Sequence, residues 1–78
     1  MNLKNLEVFY WVLTLNSFNK AAVKLKITQP AISQKITALE KSLGFKILDR
    51  HSRQIKATDK GATLFKYAEK FMRLETDM

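Results

Sequence analysis

In 78 residues the chain carries 14 Lys+Arg against 7 Asp+Glu, a formal net charge of +7, which bounds it to one small, basic domain burying roughly 60% of its unfolded surface. The absence of cysteine excludes a disulfide framework or thiolate zinc site, and a single histidine, His51, argues against a histidine metal centre or acid–base catalysis. With 46% hydrophobic residues but only two Gly and one Pro, a folded, helical chain is expected rather than a disordered or turn-rich β protein.

Leu3 to Leu15 is densely apolar, with Leu6, Phe9, Tyr10 and Leu13 at helical spacing and Val8, Trp11, Val12 and Leu15 on a second face. A helix apolar on two sides is buried on two sides. Asn16-Ser17 interrupts it, and the Ser17 hydroxyl suits an N-cap for a helix over 18–26. Phe18, Ala21, Ala22 and Leu25 form its inner face, and the paired alanines allow another helix to cross closely. Lys26-Ile27 leads to the next cap, Thr28, with Gln29 and Pro30 in the first turn, where proline removes an amide that needs no partner. Ile32, Ile36, Leu39 and Leu43 then form an amphipathic stripe ending at Gly44. Two helices joined by so short a turn are a helix-turn-helix. Glycine is frequent after Leu25 in such turns; Lys26 stands there at a small backbone cost.

After Gly44 the period shortens: Phe45, Ile47 and Asp49 alternate with Lys46, Leu48 and Arg50. His51-Ser52-Arg53 is a polar link, and 54–57 returns antiparallel with Ile55 inward. This hairpin is a wing with Arg50 and Arg53 near its tip, and it must pack on the helices to be stable. Thr58 caps a final helix, with Asp59 at its positive end. Leu64, Tyr67, Phe71, Leu74 and Met78 form one stripe on it, and Gly61, Phe65, Ala68 and Met72 another, so two packing partners are expected. The expected fold is mainly α with a small two-stranded β wing: a winged helix-turn-helix over 1–58 and a linker or dimerisation helix over 59–78. The pattern is still running at residue 78, which leads us to expect a further segment beyond it.

Charge is concentrated in the middle. Residues 16–60 hold ten basic and three acidic side chains, while 1–15 and 61–78 are each neutral. That partition points to a polyanion surface built by the centre of the chain; a generically basic surface is the plainer alternative. No apolar run reaches the ~18 residues of a membrane span, and Met1 to Asn5 lacks the order of a signal peptide. A cytoplasmic, non-enzymatic protein without metal or cofactor is therefore expected.

The residues resemble the N-terminal DNA-binding domain of LysR-type transcriptional regulators. The resemblance is carried by Ser17-Phe18-x-x-Ala21-Ala22-x-x-Leu25-x-Ile27-Thr28-Gln29-Pro30-Ala31-Ile32-Ser33, then Ile36-x-x-Leu39-Glu40-x-x-Leu43-Gly44, Leu48-x-Arg50-x-x-Arg53 and Thr58-x-x-Gly61. Gln34, Ile47-Leu48, Ala57 and Lys60 depart from the Arg, Leu-Phe, Leu and Ala common in that family. The resemblance implies sequence-specific binding of double-stranded DNA, and an effector-sensing domain that lies outside this chain.

On the second helix of the motif, the outward residues Gln29, Pro30, Ser33, Gln34 and Thr37 are the candidates for reading bases in the major groove. Gln pairs bidentately with adenine, Ser donates or accepts, and Pro offers an apolar surface to a thymine methyl. The alternative is a merely solvated polar face. Ser17, Thr28, Lys35, Arg50, Arg53 and Thr58 are the phosphate candidates, because hydroxyls and free amides at helix starts suit phosphate oxygens. For Arg50 and Arg53 the competing role is pairing with Asp49 or Glu40. Leu64, Tyr67, Phe71 and Leu74 are expected to form a homodimer interface, unless that stripe covers another domain. A protein-binding winged helix would need an apolar recognition face, and an RNA reader exposed aromatics; neither pattern is present. A membrane-surface helix would mix lysines and large apolar residues in one segment, whereas here they are separated.

Overall fold

Local chemistry sets each helix start. The computed structural model describes residues 2–49 and 54–77, with side chains through residue 74. Helix α1 spans Leu3–Leu15, and its N-cap Asn2 accepts from the Lys4 amide at 2.8 Å. Helix α2 spans Phe18–Leu25, one residue shorter than expected, because Lys26 turns into the left-handed region as its cap. The Ser17 hydroxyl accepts from the Lys20 amide at 3.0 Å. Helix α3 spans Gln29–Leu43; the Thr28 hydroxyl accepts from the Ala31 amide at 3.2 Å, and Gly44 ends the helix at φ 82°. Strands β1 (Leu48–Asp49) and β2 (Lys56–Ala57) pair antiparallel, Leu48 opposite Ala57 and Asp49 opposite Lys56. Helix α4 runs Asp59–Asp77. Among the described residues the architecture is the expected one, four helices and a two-stranded wing, with α2 and α3 separated by Lys26, Ile27 and Thr28 alone.

The core lies where α1, α2 and α3 meet and is closed by α4 and the wing. Phe9, Val12, Ile32, Ile36, Leu39 and Ile47 are its largest fully buried side chains, each contributing roughly 1.5–3 kcal/mol through burial. Ala21 and Ala22 are buried at the α2 crossing, where small side chains let helices approach. On α4, Gly61, Leu64, Phe65 and Ala68 face inward. Ala68 is fully buried, and the Phe65 ring stacks on Tyr10 at 5.6 Å and meets Phe9 edge-on at 6.3 Å. Packing therefore runs across the element boundary at 58/59.

The wing departs from simple alternation. Ile47 and Leu48 are both buried, because the backbone at 47 is held from two sides before the ladder begins. The Ile47 amide donates to Glu40 Oε2 at 2.8 Å and the Leu48 amide to the same oxygen at 3.3 Å. The Ile47 carbonyl accepts from the Thr58 amide at 3.1 Å. Helix α3, the wing and α4 are thus joined at one peptide unit.

Candidate nucleic-acid interface

Helix α3 carries its apolar residues on one side, so its polar ones, Glu40 excepted, face out. Ile32, Ile36 and Leu39 are buried, whereas Pro30 and Gln34 are exposed and Gln29, Ser33 and Thr37 half-exposed. Ser33, Gln34 and Thr37, with Ala38 and Lys41, line one shallow furrow along the outer face. Gln29 lies nearer the wing, with its amide nitrogen 3.5 Å from the Ser33 hydroxyl. The five residues expected to read bases are therefore on one continuous accessible surface, uncharged throughout.

Around that surface the phosphate candidates divide by what their hydroxyl protons already do. Ser17 and Thr28 use an oxygen lone pair to cap their helices, which leaves each O–H able to donate to a phosphate oxygen. Thr58 accepts from the Gly61 amide at 3.0 Å and donates to the Lys46 carbonyl at 2.7 Å. Its proton is thereby committed within the fold, tying the wing to α4. Lys35 is half-exposed on the edge of α3 opposite Gln29. Arg50, Arg53 and His51 lie outside the described residues, as does Met78.

Three features escaped the sequence reading. Asn16, Ser17, Phe18 and Asn19 meet Gln29 and the wing residues Gln54 and Ile55 around a polar notch, bringing Gln54 beside the candidate reading surface. Only the fold could bring residue 54 next to 29. Glu40 is a buried carboxylate, 5% exposed, and its four-residue spacing from Ile36 was the available signal. Its Oε1 lies 3.8 Å from Lys46 Nζ. Finally, residues 8–39 contain Lys20, Lys24, Lys26 and Lys35 and no carboxylate, so α2, the turn and the first turns of α3 present one sign of charge. Lys24 is held over the Trp11 ring at 4.6 Å from its centroid, a cation–π contact.

On α4, Tyr67 and Leu74 are 63% and 67% exposed, while Leu64 and Phe71 are half-buried. Of the four residues expected at a dimer interface, Leu64 packs against the core, while Tyr67 and Leu74 leave apolar surface open. Among the described residues no helix is long and apolar enough to cross a membrane.

Comparison with known proteins agrees with this geometry. Residues 3–62 match the family model described as bacterial regulatory helix-turn-helix protein, lysR family. The HTH-type transcriptional regulator BenM of Acinetobacter baylyi is 43% identical over 72 residues, covering 92% of this chain and 24% of BenM. A probable RuBisCO transcriptional regulator of Cyanidioschyzon merolae is 40% identical over 72 residues, with the same coverage of 92% and 24%. The chain thus spans about a quarter of the length of these relatives. Among solved structures, the BenM DBD in complex with catB site 1 DNA superposes with a TM-score of 0.92 at 41% identity, covering 100% of this chain and 88% of that one. Full-length BenM gives 0.88 at 41% identity, covering 97% and 25%.

Proposed function

The chain belongs to the lysR family of bacterial regulatory helix-turn-helix proteins, and from this we propose that it binds double-stranded DNA sequence-specifically, with α3 in the major groove and the wing on the backbone or adjacent minor groove. The observation that carries the reading is the division of labour around α3: an uncharged polar face framed by lysines and cap hydroxyls, with no carboxylate from residue 8 to residue 39. Uncharged side chains discriminate base edges, whereas the cations and O–H groups hold phosphates and fix register. The close likeness to the BenM DBD, itself solved with DNA, supports the same assignment.

Gln29, Pro30, Ser33, Gln34 and Thr37 read the bases, and Ser17, Thr28 and Lys35 hold phosphates. Arg50 and Arg53 extend the phosphate contacts from the wing. Titration of a promoter fragment against its scrambled counterpart at several salt concentrations tests this. The expected result is a steep salt dependence, with log affinity falling by about 0.9 per phosphate neutralised, and tighter binding to the unscrambled sequence. A flat, sequence-blind profile excludes specific binding. Within the set, Gln34→Arg is expected to change the motif selected from random DNA at one position from adenine to guanine, because Gln pairs with adenine N6/N7 and Arg with guanine O6/N7.

The second partner is a copy of the same chain, through Leu64, Tyr67, Phe71 and Leu74 on α4. What supports this is the exposure of Tyr67 and Leu74 on a helix whose other stripe is already packed. Pairing α4 about a two-fold axis sets two recognition helices in successive major grooves, about 34 Å apart. Tyr67→Asp is expected to leave the helical circular dichroism unchanged while sedimentation shifts towards monomer; an unchanged sedimentation coefficient for a dimeric parent removes Tyr67 from the interface. In the longer protein, ligand sensing belongs to a domain outside this chain, and the assembly acts as a cytoplasmic transcription regulator rather than an enzyme.

A further inference from the structure

Three helices of this fold end in the same left-handed cap, and the residues at those caps differ in how well they suit it. Gly44 closes α3 at φ 82°, and Asn16 closes α1 at φ 54°. Glycine has no Cβ to clash there, and asparagine tolerates the region through its short polar side chain. Lys26 closes α2 at φ 60° with neither compensation. Its amide still satisfies α2 carbonyls, reaching Val23 at 3.3 Å, and the Ile27 amide reaches Ala22 at 3.1 Å. The turn needs the conformation, but it does not need lysine.

The chemistry around Lys26 points to a use for the side chain. Lys26 is exposed, and among the described residues no carboxylate pairs with it. Lys24, two positions earlier, is engaged with Trp11; Lys26 has no comparable ring contact. It stands two residues ahead of Thr28, the cap whose hydroxyl oxygen accepts from the Ala31 amide and whose O–H is left to donate to a phosphate. Two peptide units span at most about 7 Å, comparable with an extended lysine side chain. We propose that Lys26 is a DNA phosphate contact in the turn of the helix-turn-helix, with a strained backbone retained because the ammonium is needed beside the phosphate met by Thr28.

This rests on the DNA-binding reading above, and the test separates the two. Lys26→Gly, Lys26→Asn, Lys26→Ala and Lys26→Arg are compared with the unsubstituted chain by thermal melting and by DNA titration across salt. Lys26→Gly is expected to melt higher, since it relieves the left-handed strain, yet to bind more weakly. All three neutral variants are expected to lose about 1.8 from the salt slope of the dimer and about thirtyfold in affinity at ~0.15 M salt, the share of one phosphate contact per chain. Lys26→Arg keeps the slope, and Lys66→Ala, an exposed lysine on α4, leaves it unchanged. A parental slope in the neutral variants overturns the proposal alone. An equal loss in Lys66→Ala reduces the effect to net charge and also overturns it. Failure of the unsubstituted chain to bind DNA overturns the DNA-binding reading, and this proposal with it.

Discussion

Gly61→Ala is expected to lower the melting temperature by roughly 4–24 °C, since overpacking costs about 1–3 kcal/mol and each kcal/mol is about 4–8 °C in a domain this size. Gly61 is buried in the first turn of α4. A Cβ there would overlap the Ile47 carbonyl oxygen and stand 2.8 Å from the Ile47 carbonyl carbon. The obstacle is backbone, so no rotamer change relieves it. The Ile47–Leu48 peptide is also the one held by Glu40 at its Leu48 amide and by the Thr58 amide at its Ile47 carbonyl, so a shift weakens both bonds. Gly44 is the instructive contrast. Nothing lies within 4 Å of a Cβ added there, and only its φ of 82° opposes a side chain. Gly44→Ala should therefore cost about 1 kcal/mol, a smaller loss with a different cause. Thermal melting followed by circular dichroism compares the two, and a Gly61→Ala protein melting within 3 °C of the parent would contradict the close approach.

Glu40→Ala has the second large effect expected. It leaves the buried amides of Ile47 and Leu48 without the oxygen that accepts from both. An unsatisfied buried donor costs about 1–3 kcal/mol, so a total loss near 3 kcal/mol is expected in urea denaturation. Glu40→Gln keeps a side-chain carbonyl that can accept both amides, and its loss should be less than half as large. The Lys46 contact adds little to the difference, because Lys46 is 80% exposed at 3.8 Å and such pairs are solvent-screened. Equal losses in the two variants would mean that the negative charge, not the acceptor, is what matters. Because Glu40 lies on the recognition helix and its partners on the wing, Glu40→Ala should also weaken DNA binding by more than Glu40→Gln.

These two residues show where a sequence stops being legible. Glu40 follows Ile36 by four residues, so helical period alone places it on the buried side of α3. A carboxylate there requires donors, but its donors are the backbone amides of 47 and 48, which carry no side-chain signature. Gly61 is visible as a glycine in a helical first turn, without any sign of the carbonyl it faces. The expected strand alternation failed at Leu48 for the same reason: the clamp on Ile47 draws two successive residues inward.

The outward polar face of α3 was legible because it follows from one helix: apolar spacing set Ile32, Ile36 and Leu39 inward, and the residues between them had to face out. The caps at Ser17, Thr28 and Thr58 were equally local, since a hydroxyl needs only the amides of the next turn. The excess of +7 was assigned to residues 16–60 by counting alone. Tertiary structure decided which hydroxyl protons remain for a ligand, removing that of Thr58 and leaving those of Ser17 and Thr28. It also brought Gln54 beside Gln29 and joined α3, the wing and α4 at Ile47. Those outcomes depend on backbone groups distant in sequence meeting at hydrogen-bonding or van der Waals range, and periodicity within one element carries no information about such meetings.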